Sequence, residues 1–575
     1  MKKNNFTNLK HSNLIVHLLF IFLLGFFVYQ NVEWVIKYRF DQSLDIDESG
    51  YLAVAVAFAK AKMNGGWTGW WHAISAPLGF APLVPLIASL VFIAFGINEN
   101  LGFVCNIAFA VGTLVLMFVA AHRVSSLFGL VASILLASLP NFVMFSRSFQ
   151  FVSATTFFFF AAYVFFVFSE GFSRRRYAML SGMALGAMIL SRTMALAFLP
   201  AFAFSFLVYF YRVRGFSREI CKNIVASILA CLLVAMPWYL ENFRSVFGYL
   251  FSFGYGSHAA EYGHSQGIFT LANWKARLDV IISQIHPAHF IMIVPAFIAA
   301  FLVCLRKKNA IDSLILSGAL LCLSSLFILS TSQNMGTGFD APIYPVMILC
   351  AIMWIATSGI KWLRIAYIAL SLTFLSVASY AHEDLHRCLK MPKEFVEGIW
   401  GYGPLVNCVA SIHGYLRTNE FPPDNQPNFI QERDEAVAWR QLNRLVSSYL
   451  LEEDGSRSVV LLLSRHMILN ANSIGLEMIK GAGTILPMVQ IDPAALEPTA
   501  ASYSSWLAQA PHDSACFALM LDDQHGEFFP RADVSVMTQV LSESEYERVT
   551  SFATPRSGQR LWVWQKKVPA CRGLA

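Results

Sequence analysis

Charged side chains are scarce in this sequence, and their scarcity limits the classes of protein to which the chain can belong. Only 14% of the 575 residues are Asp, Glu, Lys or Arg, whereas 56% are hydrophobic and the mean hydropathy is +0.54. Soluble domains carry about a quarter of their residues as charges. The composition therefore excludes a purely soluble protein and indicates a polytopic membrane protein.

The ten cysteines lack the spacings that bind zinc or form a redox pair, and the sequence has neither an internal repeat nor a low-complexity tract. Six cysteines lie in or beside apolar segments, where cysteine behaves as a small apolar residue. The other four would form two disulfides in an oxidising compartment, with three pairings open. These four are Cys388, Cys408, Cys516 and Cys571.

Twelve apolar segments are candidates for membrane spans. A span needs about 20 mostly apolar residues to cross ~30 Å of hydrocarbon. The net charge of +6 is gathered in short basic clusters between these segments, which membrane topology explains, so we expect no nucleic-acid partner. The candidates are 14–36, 77–97, 100–122, 124–145, 151–169, 177–191, 194–211, 223–240, 287–305, 311–331, 341–358 and 362–380.

The basic clusters predict which segments cross. If all twelve crossed, the clusters 174–176 and 306–308 would face away from the N-terminal lysines, against the positive-inside rule. The segment 77–97 contains three prolines and follows a Trp-rich stretch, so we predict that it lies on the outer surface as a juxtamembrane or re-entrant helix. Eleven crossings remain, with the N-terminus cytoplasmic and residues 37–99 and 381–575 outside.

Two ambiguities affect this topology. The first segment, 14–36, follows basic residues as a signal peptide would, but it is long and lacks a small-residue cleavage site, so we interpret it as a retained anchor. The stretch 177–211 could be one long helix instead of two short ones that meet at Arg192, which would invert everything downstream. The basic residues between 212 and 222 favour two crossings.

The last third of the chain has the composition of a soluble domain. Charged residues, proline and asparagine become frequent after residue 380, and no apolar run of span length recurs. We therefore predict a membrane domain, 1–380, and a small α/β domain, 381–575, with its own core. Within the latter, helical spacing covers 431–451, and the runs 458–463, 515–521 and 561–566 are typical of strands.

An acidic cluster directly follows the first apolar segment. The run 45–51, Asp-Ile-Asp-Glu-Ser-Gly-Tyr, opens a stretch of helical propensity that ends at two glycines. Carboxylates at a helix start are stabilised by the helix dipole, which is a purely structural explanation. Ionisable groups close to a membrane face also mark chemistry or ion handling.

Several short motifs in consistent order resemble the GT-C superfamily of integral-membrane glycosyltransferases. They are the DESGY run after the first span, WTGWW, APLGFAPLVPL and PWYLENF, and they cover roughly residues 10–380. The chain looks most like the bacterial branch that includes the protein O-mannosyltransferases and the lipid A aminoarabinose transferases. The resemblance implies a GT-C-type all-α polytopic domain followed by the α/β domain, here periplasmic, in a bacterial inner membrane.

The resemblance also implies an activity. Such enzymes transfer a sugar from a polyprenyl-phosphate donor to an acceptor at the periplasmic face, here a lipid A or other envelope glycan, a lipid or a protein. Their D-E-x-x-Y motif places the catalytic carboxylate on Asp47, with Glu48 beside it and Tyr51 completing the pattern. A carboxylate can take the acceptor proton as a general base. Asp45 is the rival for this role.

The leaving phosphate needs cations at the outer face. Arg147, Arg192 and Arg244 are expected at external helix ends, although interfacial arginine often only snorkels to lipid headgroups. Arg192 matches a basic position of the family in the stretch GAMILSRTMALAFLP. His72 could contact the phosphate or the acceptor, with a merely interfacial position as the alternative.

The sequence departs from the family pattern at three places. Glu241 replaces the expected arginine in PWYLENFR, and SRSFQFVSATTF lacks the acid that many relatives carry after the third span. The late R-Y-x-x-P element has no arginine and reads TGFDAPIYP, with Asp340 and Tyr344. The acceptor and the phosphate ligands therefore stay open.

The loop 248–267 is rich in Gly, Tyr and His, which suits a mobile lid over a sugar site, with Tyr262 as a substrate contact. His258, Glu261, Tyr262 and His264 could bind a divalent metal ion, but their irregular spacing equally fits a solvated loop. No cofactor is otherwise indicated.

Two other functions fit parts of the sequence. A lipid or oligosaccharide transporter or flippase would need ionisable groups near the bilayer midplane, whereas here the spans contain almost no acidic residues. A membrane-anchored scaffold would explain the C-terminal domain but not the number of spans that precede it. Glycosyl transfer is the leading hypothesis.

Overall fold

The computed structural model is mostly helical, with one small sheet domain. The chain divides into two compact units. The first comprises Met1–Trp34, Trp71–Ala88 and Leu101–Gly414, and the second comprises Val35–Trp70, Ser89–Asn100 and Tyr415–Ala575. The structure describes residues 4–78, 80–256, 259, 270–285, 287–306, 310–336, 338–381, 417–419, 427–429, 433–454, 459–466, 468–524, 527, 531–556, 558–568 and 571.

Fifteen α-helices are described before residue 382. A 3₁₀ helix, Thr193–Phe198, precedes α9, and a π-helical turn, Phe210–Arg214, follows it. The helices are α1 (Asn4–Tyr38), α2 (Ile46–Ser75), α3 (Leu83–Phe95), α4 (Asn100–His122), α5 (Ser126–Ala137), α6 (Pro140–Ser146), α7 (Val152–Phe168), α8 (Arg175–Ser191), α9 (Leu199–Tyr209), α10 (Arg218–Tyr255), α11 (Leu271–Ile285), α12 (Pro287–Arg306), α13 (Ala310–Ser330), α14 (Ile343–Thr357) and α15 (Lys361–Ala381).

Several of these helices are long and apolar enough to cross a bilayer. Among the described residues six helices meet this criterion, or seven if α5 and α6, which are bent by 69° at their junction, form one span. Others, such as α7 and α14, are apolar but shorter. The prediction of a multi-pass membrane protein is confirmed at this level.

The stretch 177–211 forms two helical segments. Arg192 ends α8 with an extended backbone, φ −155° and ψ 126°, and the chain continues as the 3₁₀ helix Thr193–Phe198. The alternative of one continuous helix is therefore excluded. Close packing fixes α8 against α10, because a Cβ on Gly182 would lie 1.9 Å from the carbonyl oxygen of Ser227 and one on Gly186 would lie 2.6 Å from that of Cys231.

The second unit contains the α/β domain. Its five-stranded sheet has the order β4-β3-β5-β7-β6, with β3 parallel to β4 and β5 and with β7 antiparallel to β5 and β6. A separate antiparallel pair is formed by β1 and β2. The elements are β1 (Arg417–Asn419), β2 (Pro427–Phe429), α16 (Arg433–Asp454), β3 (Val459–Leu462), α17 (Ala471–Gly481), β4 (Met488–Gln490), α18 (Ala500–Leu507), β5 (Ala515–Leu521), α19 (Val534–Glu543), β6 (Tyr546–Ala553) and β7 (Arg560–Lys566).

The prediction of an α/β domain is confirmed. The expected helix corresponds to α16, and the expected strands correspond to β3, β5 and β7. Every residue of β5 is buried, which explains its uninterrupted apolar sequence. Cys516 and Cys571 form a disulfide, whereas Cys388 and Cys408 lie outside the described residues.

Glu527 should make the stability of this domain depend on pH. Its side chain is buried, and burial raises its pKa from the ordinary 4.5 to about 7, although the amide of Arg465 and the charge of Arg531 oppose this shift. The protonated side chain of Glu527 makes its full contribution to the stability of the folded domain below pH 4.5. This contribution, on the order of 3 kcal/mol, is lost as the pH rises through 7. Glu527→Gln should remove this loss.

The measurement is the midpoint of thermal unfolding of the purified full-length chain at pH 5 and at pH 8. Other groups titrate in both proteins, so the informative quantity is the difference between wild type and Glu527→Gln at each pH. The variant should gain stability relative to wild type at pH 8 compared with pH 5. An equal difference at the two pH values would contradict the raised pKa of Glu527.

Candidate active site

The acidic run lies at the first turn of α2, as the sequence predicts. The carbonyl oxygen of Asp45 accepts a hydrogen bond from the amide of Ser49 at 3.0 Å, and its Oδ1 accepts one from the amide of Glu48 at 2.8 Å. Asp45 is therefore the residue that caps α2. Its carboxylate already satisfies a backbone donor of the helix.

The two adjacent carboxylates, Asp47 and Glu48, have different environments. Glu48 is 1% exposed and forms a buried ion pair with Arg39, which is 3% exposed. Asp47 is exposed. Tyr51 is half-buried and lies four residues after Asp47, which puts the two side chains on the same face of α2. The carboxylates of Asp45 and Glu48 thus bind partners within the fold, and the side chain of Asp47 is exposed.

A buried charge network surrounds the segments that flank this turn. Arg440, on α16, is 3% exposed and donates to the carbonyl oxygen of Gln42 at 3.0 Å. It also forms ion pairs with Glu99 and with Glu477 of α17, and Lys480 pairs with Glu99 at 2.8 Å. Burial alone would raise the pKa of Glu99, but Arg440 and Lys480 lower it below its ordinary value. Glu99 therefore stays charged.

In the first unit, a polar cluster forms around Arg192. The guanidinium of Arg192 donates to the carbonyl oxygen of Gly338 at 3.2 Å and lies 3.9 Å from the ring centroid of Phe339. The neighbouring Asp340 is buried and accepts a hydrogen bond from the Tyr344 hydroxyl. Burial raises the pKa of Asp340, while the charges of Arg277 and Arg192 oppose that rise. Two cations of this cluster thus act electrostatically on one carboxyl group.

Arg277 contributes the second cation of this cluster. It is 7% exposed, and its Nη2 donates to the carbonyl oxygens of Ser332 and Asn334, each at 3.2 Å. Burial lowers the pKa of Arg277, and Asp340 counteracts this effect. The sequence reasoning missed Arg277, because it lies in the amphipathic helix α11 and in no motif.

The other predicted site residues that the structure describes lie on different elements or between them. Arg147 is 1% exposed, donates to Oδ1 of Asn31 at 2.8 Å and lies 4.9 Å from the ring centroid of Trp34. Arg244 is exposed on α10, and His72 is exposed in the last turn of α2. Tyr262 lies outside the described residues, together with His258, Glu261 and His264 of the proposed metal set.

The PWYLENF motif has a packing role that the sequence did not reveal. The indole of Trp238 donates to the carbonyl oxygen of Ile74 at 3.1 Å, and Oδ1 of Asn242 accepts from the amide of Leu78 at 3.1 Å. The motif thus anchors residues 74–78 to α10, whereas Glu241, where the family carries arginine, is exposed. Trp238 and Asn242 are thus residues of this motif whose side chains have a structural role.

The comparisons with known proteins agree with this architecture. A family model described as dolichyl-phosphate-mannose-protein mannosyltransferase matches residues 77–240. The structure is similar to ArnT from Cupriavidus metallidurans bound to undecaprenyl phosphate, at 12% identity and a TM-score of 0.56, over 97% of this chain and 99% of that chain. No curated protein sequence matches the chain.

Two further solved structures are similar. The archaeal oligosaccharyltransferase AglB from Archaeoglobus fulgidus, in complex with an inhibitory peptide and a dolichol-phosphate, has 10% identity and a TM-score of 0.53, over 89% of this chain and 69% of that chain. The arabinofuranosyltransferase AftD from Mycobacteria has 11% identity and a TM-score of 0.54, over 95% of this chain and 40% of that chain. The chain has the fold of GT-C membrane glycosyltransferases, which confirms the resemblance.

The Arg39–Glu48 pair should be costly to break. Glu48→Gln leaves the Arg39 charge buried without its partner, so we expect the free energy of unfolding to fall by about 3 to 5 kcal/mol. Adding Arg39→Met removes that orphaned charge and should restore part of the loss. Chemical unfolding of the detergent-solubilised protein gives both values.

The exposed pair between Arg174 and Glu170 is the matched control. Glu170→Gln should cost less than about 1 kcal/mol, because water screens an exposed pair. If Glu48→Gln cost as little as this control, or if the two changes at Arg39 and Glu48 were simply additive, the buried pair would not carry the stability assigned to it.

Proposed function

We propose that this protein is a bacterial inner-membrane glycosyltransferase that moves a sugar from a polyprenyl-phosphate donor to an acceptor at the periplasmic face, with Asp47 as the general base. The observation that carries the proposal is that the three acids of this turn have different environments. Asp45 caps α2, Glu48 is paired with Arg39, and Asp47 is exposed. The structural similarity to ArnT bound to undecaprenyl phosphate supports the donor class.

These positions support a direct transfer reaction. A hydroxyl group of the acceptor attacks the anomeric carbon of the donor sugar, and Asp47 takes the hydroxyl proton. The bond between the anomeric carbon and the phosphate oxygen breaks, and the polyprenyl phosphate leaves with the bonding electrons. A positioned base contributes about 10²- to 10⁴-fold to such a step. Glu48 and Arg39 hold the turn that carries Asp47. Tyr51 lies on the same face of α2 as Asp47.

The donor phosphate needs cationic partners, and Arg192 is the best supported. It is half-buried and held by Gly338 and Phe339, and Arg277 adds a second charge to the same cluster. A guanidinium group offers planar, paired donors that suit a phosphate. The other proposed substrate contacts are Arg147, Arg244, His72 and Tyr262.

Contacts of Arg440 support the proposed topology. This side chain reaches Gln42 and Glu99, which lie on opposite sides of the segment 77–97 along the chain. A crossing by that segment would put the two residues on different faces of the membrane. The helix within it, α3, has 13 residues and a length of ~20 Å, shorter than the ~30 Å of hydrocarbon.

The same contacts favour an even number of crossings between Glu99 and the α/β domain. Ten crossings satisfy this requirement if α5 and α6 form one bent span, and α1 then makes eleven. The basic clusters between the spans support a periplasmic location of the α/β domain. The ten are α4, α5 with α6, α7, α8, α9, α10, α12, α13, α14 and α15.

Asp47→Asn should abolish transfer, because an amide cannot accept the proton at neutral pH, while expression and membrane insertion stay normal. The measurement is the release of polyprenyl phosphate from radiolabelled polyprenyl-phosphate sugars, offered one sugar at a time to the purified protein with an envelope extract as acceptor source. We expect a loss of at least about 10²-fold.

Asp41→Asn is the matched control for this experiment. Asp41 is an exposed acid in the same loop with φ 56°, a backbone conformation that asparagine also adopts. This variant should keep wild-type activity. Full activity of Asp47→Asn would reject Asp47 as the base, and loss in both variants would indicate damage to the loop.

Thiol labelling tests the topology separately. In a background where the other free cysteines are replaced by alanine, Asn64→Cys and Ser542→Cys should react with a membrane-impermeant maleimide from the periplasmic side, since both positions are exposed. The natural Cys221 is also exposed and should react only after permeabilisation. Labelling of Asn64→Cys and Ser542→Cys from different sides would contradict the even number of crossings.

A further inference from the structure

The α/β domain contacts the turn that carries Asp47. Nδ2 of Asn472, in the first turn of α17, donates to the carbonyl oxygen of Ile46 at 2.8 Å. The hydroxyl groups of Ser473 and Ser49 also form a hydrogen bond, with 3.1 Å between their Oγ atoms. Residues 46 and 49 enclose Asp47 along the chain, so these two hydrogen bonds fix the turn on both sides of the base.

Gly50 leaves room for this contact. A Cβ at position 50 would lie 2.9 Å from Nδ2 of Asn472, which is closer than real Cβ atoms approach a neighbour. Any larger residue would push the Asn472 amide away from the carbonyl group of Ile46. The glycine in the run Asp-Glu-Ser-Gly-Tyr thus fits the close approach of α17.

The end of α17 that makes this contact is itself rigid. Asn470 is fully buried and caps α17, because its Oδ1 accepts from the amide of Ser473 at 3.0 Å. Oγ of Ser473 also bonds Oδ1 of Asn470 at 3.3 Å, and Nδ2 of Asn470 donates to the carbonyl oxygen of His466 at 3.3 Å. Asn472 and Ser473 therefore project from a fixed helix end.

A second attachment lies just before the turn. Oγ of Ser43 donates to the carbonyl oxygen of Ala436 at 2.6 Å, and Arg440 donates to the carbonyl oxygen of Gln42 at 3.0 Å. Arg440 is itself held by Glu99 and Glu477. The α/β domain thus contacts the loop before α2 through α16 and the first turn of α2 through α17.

We propose that Asn472, Ser473 and Arg440 are positioning residues for the transfer reaction, and that the α/β domain sets the place and orientation of Asp47. This inference rests on the function proposed above. A base must lie within about 2.6 to 3.2 Å of the oxygen whose proton it takes. A displacement of about 1 Å can cost on the order of 10²-fold in rate. The domain therefore acts on the rate of the chemical step.

Asn472→Asp in the full-length protein tests this role. Aspartate has the shape of asparagine but cannot donate to the carbonyl group of Ile46, and its charge suits the first turn of α17. A merely structural Asn472 would therefore leave activity unchanged in this variant. We expect kcat to fall about 10- to 100-fold, with the KM for the polyprenyl-phosphate sugar unchanged.

Thr499→Ala is the matched control. Thr499 caps α18 in the same domain, and its Oγ1 accepts from the amide of Ser502 at 3.3 Å. Its loss weakens a helix end elsewhere in the domain, so kcat should stay at the wild-type value. A wild-type kcat for Asn472→Asp, or an equal loss in Thr499→Ala, would overturn the inference.

Hydrogen exchange gives a readout that needs no substrate. The amides of residues 46–52 should exchange faster in Asn472→Asp than in wild type or in Thr499→Ala. Unchanged exchange overturns the positioning role, as does faster exchange with unchanged kcat. If wild type shows no transfer with any sugar donor, the proposed function fails, and the exchange result still decides whether Asn472 holds the turn.

Discussion

Arg440 imposes the constraint on which the arrangement of the second unit depends. A guanidinium group that is 3% exposed has lost most of its water, so it is stable only where anions and carbonyl groups replace that water. Glu99, Glu477 and the carbonyl group of Gln42 do so. These groups come from three segments that are far apart in the chain, and satisfying one cation holds all three together.

Burial also explains how one short run of acids acquires separate roles. Three carboxylates within four residues would repel one another if all were charged and unpaired. The fold avoids this because Asp45 accepts a backbone amide of α2 and Glu48 is neutralised by Arg39. Asp47 is the exposed acid of the run. Its position is set by the contacts that Asp45 and Glu48, on either side of it, make within the fold.

The sequence could predict the features that depend on local pattern. Apolar segments, the break at Arg192 and the buried strands of the α/β domain are properties of neighbouring residues, and the structure contains them. The pairing of Arg440 with Glu99 could not be predicted, because no local pattern links two charges so distant in the chain. The edge strands β4 and β6 were not predicted, since most of their residues are exposed or only partly buried.

The departures from the family motifs become intelligible in three dimensions. The element TGFDAPIYP lacks the arginine of the family, yet Arg277, from the amphipathic helix α11, acts electrostatically on its Asp340. A cation can serve a site from any element that reaches it, because the site depends on distance and charge rather than on sequence order. Where a family motif lacks an expected charged residue, the charges that surround the motif in the folded structure are therefore a better guide than the sequence of the motif alone.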